Sequence, residues 1–253
     1  MKDKVKNIAI DRTVSFSHTL LSLVFPLRCV ICMDTVPSLA TDPVCGECKK
    51  GLPLNFGENC RSCGRPIAGD TSDGIEMLCG DCRADPPPFE RTVYPLHYEE
   101  KTKDLVYHFK FLGKQGLAST LANIMSAKLH RELEMNRFDM IVPVPLHPAR
   151  LYTRGYNQSY LLARDIGNTF SIPVEHDIVI RIKDTPPQSS LTRKERIKNL
   201  KKAFIVEDVA RIQGKEALLV DDVMTTGSTL REVSKTLKNA GAKSVACAVA
   251  ARA

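Results

Sequence analysis

From residue 93 onward the hydrophobic positions switch repeatedly between two periods. Residues 93–98 read as a strand, whereas 103–111 and 117–133 carry apolar side chains three and four apart, the stripe of an amphipathic helix. The segment 139–145 is strand-like again, 157–170 is another helical stripe, and 178–182, 216–220 and 244–250 are apolar runs of strand length. A helical pattern over 229–240 separates the last two. Strands alternating with helices predict an α/β fold, a parallel sheet flanked by helices, with ligand loops at the carboxyl ends of the strands.

Before residue 85 cysteine, not hydrophobic period, organises the chain. Eight of the nine cysteines fall between Cys29 and Cys82, in four Cys-x-x-Cys pairs: Cys29/Cys32, Cys45/Cys48, Cys60/Cys63 and Cys79/Cys82. Two-residue spacing lets both thiolates of a knuckle face one ion, and two knuckles complete a tetrahedral four-sulfur shell. About two Zn²⁺ are therefore expected, in a structural role, because a four-cysteine site leaves no open position for substrate. Four disulfides in a secreted domain, or a redox pair, are the competing readings. Pairing the first two knuckles on one ion and the last two on another is the simplest topology, and a crossed arrangement has the same spacing. Gly46, Gly64 and Gly80 sit where a tight knuckle favours positive φ. No internal repeat beyond the knuckles is evident.

Asp85-Pro-Pro-Pro-Phe89 is a stiff stretch suited to a domain boundary. The expected organisation is an N-terminal helix or extension over 1–26, a double zinc ribbon over 27–84, a Pro-rich linker over 85–92, and the α/β domain over 93–253. The apolar run 19–27 is far short of the roughly 20 residues of a membrane span. Asp3 and Asp11 before it, with no small-residue cleavage site after it, also argue against a secretory signal. A short helix packed on the module is the expectation, with no integral membrane segment and the cytoplasm as the default address. The formal charge of +7 tilts the chain toward anionic partners without fixing which.

The most informative segment runs from Ala217 to Thr229, ALLVDDVMTTGST. An apolar strand ends in Asp221 and Asp222, and Thr225, Thr226, Gly227, Ser228 and Thr229 open the next helix. Backbone N–H groups of that turn, helped by the hydroxyls, can surround a 5′-phosphate at a helix N-terminus. The two aspartates cannot sensibly contact a phosphate, but can accept hydrogen bonds from neighbouring ribose hydroxyls, so the loop reads a ribose 5-phosphate. As ligand-facing residues at a strand end they are expected to add little to the core. A Walker B strand would also end in acidic residues, but the chain has no Gly-x-x-x-x-Gly-Lys-[Ser/Thr] loop.

This combination resembles the 5-phosphoribosyl pyrophosphate (PRPP) motif of type I phosphoribosyltransferases. From Phe25-Pro-Leu-Arg-Cys29 onward the chain resembles the ComF/GntX family, competence-associated proteins with a double zinc ribbon before a phosphoribosyltransferase domain. The likeness includes Lys110-Phe-Leu-Gly113, Val142-Pro-Val-Pro145, Arg154-Gly-Tyr-Asn-Gln158, and Gln188, Leu191, Arg196, Asn199 and Phe204. It implies that 145–154 is the pyrophosphate loop, with Arg150 and Arg154 as its cations, and that Mg²⁺ accompanies PRPP. It also implies that the basic stretch 183–202 is a mobile catalytic loop, from which Lys194 and Arg196 would stabilise the leaving pyrophosphate. His147, without a partner visible in sequence, reads as a surface or capping group. Hypoxanthine-type transferases place an acidic residue before the Thr-Gly pair; Thr225 stands here, which weakens a purine-salvage assignment.

No aromatic cluster announces a nucleobase, and Cys247 in its apolar strand reads as an inert core thiol. Three functions follow. The family resemblance suggests a PRPP-binding accessory protein handling single-stranded DNA in natural transformation, alongside competence or recombination proteins. An active phosphoribosyltransferase with an unidentified acceptor is the second. A zinc-ribbon interaction protein with a regulatory sugar-phosphate site is the third.

Overall fold

The computed structural model describes residues 27–36, 42–67, 78–184 and 199–253. Its centre is a five-stranded sheet in which every pairing is parallel: β3 (Met140–Pro143) lies beside β6 (Glu216–Met224), β6 beside β7 (Ser244–Arg252), and β1 (Thr92–Val93) and β2 (Leu96–His97) both lie along β7. The single strand expected over 93–98 is thus split. The break falls at Tyr94-Pro95, where proline has no N–H to donate.

Two core clusters flank the sheet, and strand alternation assigns the residues. Leu218, Val220, Ala246, Ala248 and Ala250 pack against α3 (Glu100–Phe111), α4 (Leu117–Glu132) and α6 (Gln158–Phe170). Ala217, Leu219, Val245, Cys247 and Val249 meet Ile212 of α7 (Val209–Ile212) and Leu230, Val233 and Leu237 of α8 (Ser228–Asn239). Strands covered on both faces need continuous apolar runs, which is why β6 and β7 were legible in sequence.

Two expectations are corrected. The run at 178–182 yields β4 (Val179–Arg181), which leaves the parallel sheet and pairs antiparallel with β5 (Phe204–Val206). A parallel partner would require a crossover, usually helical, whereas this connection is polar and Pro-interrupted. The expected pyrophosphate loop contains a short helix, α5 (Pro148–Arg154). His147 caps it, accepting from Ala149 N at 3.3 Å; Pro148 supplies the preset first φ, and Gly155 at φ 80° closes it.

The cysteine module is a tandem of two units. In each, the amide of the residue after the second knuckle cysteine returns to the first: Met33 N to Cys29 O at 2.9 Å, Gly64 N to Cys60 O at 2.8 Å. The first knuckle of each unit is closed by an antiparallel bridge, Arg28 with Thr35 and Asn59 with Pro66. Each unit then gives a five-residue helix opened by a cysteine: α1 (Gly46–Lys50) after Cys45 and α2 (Gly80–Ala84) after Cys79. The sequence shows only the cysteines of this repeat. Positive φ falls on Met33 and Gly64, not on Gly46 or Gly80, which are helical.

The ribbons and the α/β body share one core. Val30, Val36, Val44 and Leu52 belong to the cluster containing Leu96, Leu105 and Leu121. Arg252 Nε of β7 donates to Cys63 O at 2.8 Å, and the Tyr94 hydroxyl donates to Asn59 Oδ1 at 2.8 Å. The proline stretch is fastened too: Arg231 Nη2 donates to Asp85 O at 2.6 Å, and Phe89 is buried in the second cluster. The run at 19–26 lies outside the described residues.

Candidate functional site

The site forms where β6 runs into α8. Continued pairing with β7, from Asp221↔Val249 to Met224↔Arg252, carries β6 past the predicted end, so both aspartates lie within the strand. The expectation that they add little to the core is corrected, because both are packed in. Asp221 Oδ1 accepts from Ser159 Oγ of α6 at 2.8 Å and from the Asp222 amide at 2.9 Å. Burial, then the neighbouring Asp222 charge, push Asp221 up to about 7, against the lowering pull of Lys110 and Ser159.

Asp222 is 2 % exposed and meets Lys110 of α3, Nζ to Oδ1 at 2.8 Å. Burial opposes the Lys110 charge, but Asp222 and then Asp221 outweigh it and hold the ammonium above its ordinary value. The other oxygen, Asp222 Oδ2, is buried with no hydrogen-bond partner among the described residues. A buried unpaired acceptor costs roughly 1–3 kcal/mol, so such an atom asks for a further donor.

Beyond the aspartates the chain turns at Gly227, φ 76°, where an added Cβ would stand 2.5 Å from Met224 Cε. The turn is tied by Thr226 Oγ1 and Ser228 Oγ at 2.6 Å, with the Ser228 amide reaching Thr226 Oγ1 at 3.4 Å. Thr225 and Thr229 flank it, and the N-terminus of the twelve-residue α8 lies behind. Sequence order therefore delivers a polar turn and a helix N-terminus directly after the carboxylates, an arrangement suited to an anion.

Of the expected pyrophosphate cations, Arg150 lies close to Arg181 of β4; burial and then the Arg150 charge depress Arg181, with Asp184 and Asp221 opposing. Arg154 is held elsewhere: Nη1 donates to the buried Gln158 Oε1 at 2.6 Å, and the guanidinium lies over Phe111 at 5.3 Å from the ring centroid. Lys194 and Arg196, with Gln188 and Leu191, lie outside the described residues. Lys110, Ser159 and Arg181 were missed as site residues. A signal existed for Lys110: it follows buried Val106 by four on a helix, so a cation there needs an anionic partner.

The eight cysteines resolve the pairing question. Sγ atoms of Cys29, Cys32, Cys45 and Cys48 lie within 4.8 Å of one another, as do those of Cys60, Cys63, Cys79 and Cys82. Four sulfurs about 2.3 Å from a tetrahedral ion stand about 3.8 Å apart. Cys32 with Cys45 and Cys63 with Cys79 are each 3.7 Å apart. Amides of Cys45, Cys48 and Cys79 point at ligand sulfurs at 3.3–3.4 Å, favouring thiolates. The residues fit two structural zinc ions, consecutive knuckles sharing each. Cys247, by contrast, is fully buried, which pushes its thiol up.

With this geometry in place, a double zinc ribbon domain model matches residues 20–83, and a phosphoribosyl transferase domain model matches residues 157–253. Competence protein F of Haemophilus influenzae is 33% identical over 227 residues, covering 87% of this chain and 95% of that protein. The chain belongs to the ComF family. Other ComF-like relatives are the DNA utilization protein YhgH of Escherichia coli K12, 33% identical over 225 residues (84% of this chain, 96% of that protein), and competence protein ComFC of Streptococcus pneumoniae, 26% identical over 230 residues (87% and 97%). A purine phosphoribosyltransferase from Pyrococcus horikoshii superposes with a TM-score of 0.32 at 16% identity, over 62% of this chain and 75% of that one. The two domain models and the parallel sheet make the ComF fold here a phosphoribosyltransferase-type α/β body carrying two zinc ribbons. No helix among the described residues is long and apolar enough to cross a membrane.

Proposed function

We propose that the chain binds PRPP with Mg²⁺ at the head of β6 and serves, through that site, in handling single-stranded DNA during natural transformation, alongside competence or recombination proteins. The observation that carries the sugar-phosphate part is Asp222 Oδ2, buried beside Asp221 with no donor among the described residues, three residues before the phosphate-type loop. A ribose hydroxyl is the donor it lacks, and two adjacent carboxylates suit two adjacent hydroxyls. In this reading Thr225, Thr226, Gly227, Ser228 and Thr229 hold the 5′-phosphate, and Arg150 stands at the pyrophosphate end. Mg²⁺, a hard cation, would offset the charge of the pyrophosphate, and carboxylate oxygens are the protein groups suited to hold it. Lys194 and Arg196 would complete the site by closing over the pyrophosphate. The division into 1–26, 27–84, 85–92 and 93–253 is part of the same proposal.

Calorimetry with PRPP and Mg²⁺ tests the site. Binding by the wild type and its loss in Asp222→Asn, in a variant that still folds, is the expected result; equal affinity in both removes the assignment. The DNA part draws support from relatives whose names refer to competence and to DNA utilization. Pyrophosphate release in a scan of acceptors would favour an active transferase instead.

A further inference from the structure

The outward face of α3 carries two aromatic rings where a solvated helix face would carry polar groups. Leu105, Val106 and Phe109 fill the buried face, so the helix has already anchored itself without them. Tyr107 and Phe111, one turn apart, are 54% and 63% exposed, their ring centroids 5.4 Å apart and tilted by 43°. Leu112, also exposed, extends the patch. In sequence the two rings stand four residues apart among few aromatics, and the helix gathers them on one side.

Basic side chains stand at the C-terminal end of the patch. Arg154 of α5 lies over the Phe111 ring and is locked there by Gln158, and Lys114 follows the helix on an exposed turn. Between the two rings in sequence, Lys110 turns the other way and reaches Asp222. The platform therefore stands on the same helical turn that braces the sugar-phosphate site. Rings and arginine suit protein partners as well; the guanidinium stacked on Phe111, the lysine that follows the helix and the chain's net charge of +7 favour an anionic polymer with flat faces.

We propose that Tyr107, Phe111 and Arg154 form a stacking platform for unpaired nucleobases of single-stranded DNA. This rests on the DNA-handling reading above and supplies its surface. Any base can stack on the exposed faces of Tyr107 and Phe111 or on the Arg154 guanidinium, so sequence preference is weak, and phosphates lie along Lys114. Because the chain contains no tryptophan, Phe111→Trp places a single reporter on the platform.

The test uses the full chain and three probes: a thirty-nucleotide oligo(dT), an abasic strand of equal length and charge, and free thymidine. Emission of the Phe111→Trp variant should be quenched by oligo(dT) and not by the abasic strand. Tyr107→Ala and Phe111→Ala should each lower oligo(dT) affinity about tenfold, as loss of one base-stacking contact implies. They should leave the abasic strand unaffected and leave PRPP binding intact. If the wild type binds no oligonucleotide, the DNA-handling reading itself fails. If the wild type binds but the alanine variants bind equally well, the platform alone fails and the patch is a protein-facing surface. Equal quenching by free thymidine at the same base concentration would make it a small-molecule acceptor pocket, which also overturns the proposal.

Discussion

Replacing Lys110 by methionine keeps most of the aliphatic stem and removes the charge facing Asp222, so it isolates one buried ion pair. In the wild type the pair is 2.8 Å long, with the side chains of Lys110 and Asp222 only 22% and 3% exposed. Deleting one partner of a buried pair leaves an uncompensated charge and costs about 3–5 kcal/mol; the residual exposure of Lys110 places this case near the lower end. At roughly 2–4 °C per kcal/mol for a chain of this size, melting should fall by about 6–12 °C. Adding Asp222→Asn removes the stranded charge, and the double variant should regain a large part of the stability. Thermal and urea melts at pH 8 measure both effects. A loss below about 1 kcal/mol at pH 8, or a double variant no more stable than Lys110→Met alone, refutes the argument.

Asp221, held near 7 against an ordinary 3.8, keeps in the folded chain a proton that the unfolded chain releases. Its contribution to stability is therefore present below pH 4 and lost as pH rises through 7. PRPP affinity should run oppositely, rising from pH 6 to 8 as the carboxylate becomes an acceptor, and calorimetry on Asp221→Asn should show a flatter profile. Gly227→Ala should cost about 1–2 kcal/mol from its φ of 76° and weaken PRPP binding, while Gly46→Ala, helical with nothing within 4 Å of the added Cβ, should be neutral or stabilising in thermal melts. Metal analysis of protein prepared under reducing conditions without chelator should find about two zinc ions per chain. Stripping them should lower the melting temperature of the whole protein, not of a detached module, because Val30, Val44 and Leu52 pack with Leu96 and Leu121; two separate transitions in calorimetry would contradict the shared core.

What the sequence determined by itself was everything local. The apolar runs of β6 and β7 were legible because a strand covered on both faces must be hydrophobic throughout, and the helical stripes of α3, α4, α6 and α8 because only a 3.6 period buries one side. Cys-x-x-Cys spacing announced two four-sulfur sites, and Asp-Asp followed by Thr-Thr-Gly-Ser-Thr announced a carboxylate pair leading into a phosphate-type turn, since each is set by a few consecutive residues. Tertiary structure decided what depends on distant partners. It chose which knuckles share an ion, drew β4 out of the sheet to pair with β5, and fused the ribbons to the body through Arg252 and Cys63. It also placed Lys110 against Asp222 and Ser159 against Asp221, across 112 and 62 residues of chain. A periodic pattern marks which side of an element is buried but not which element covers it, so the partners that tune these carboxylates became visible only once the helices had docked on the sheet.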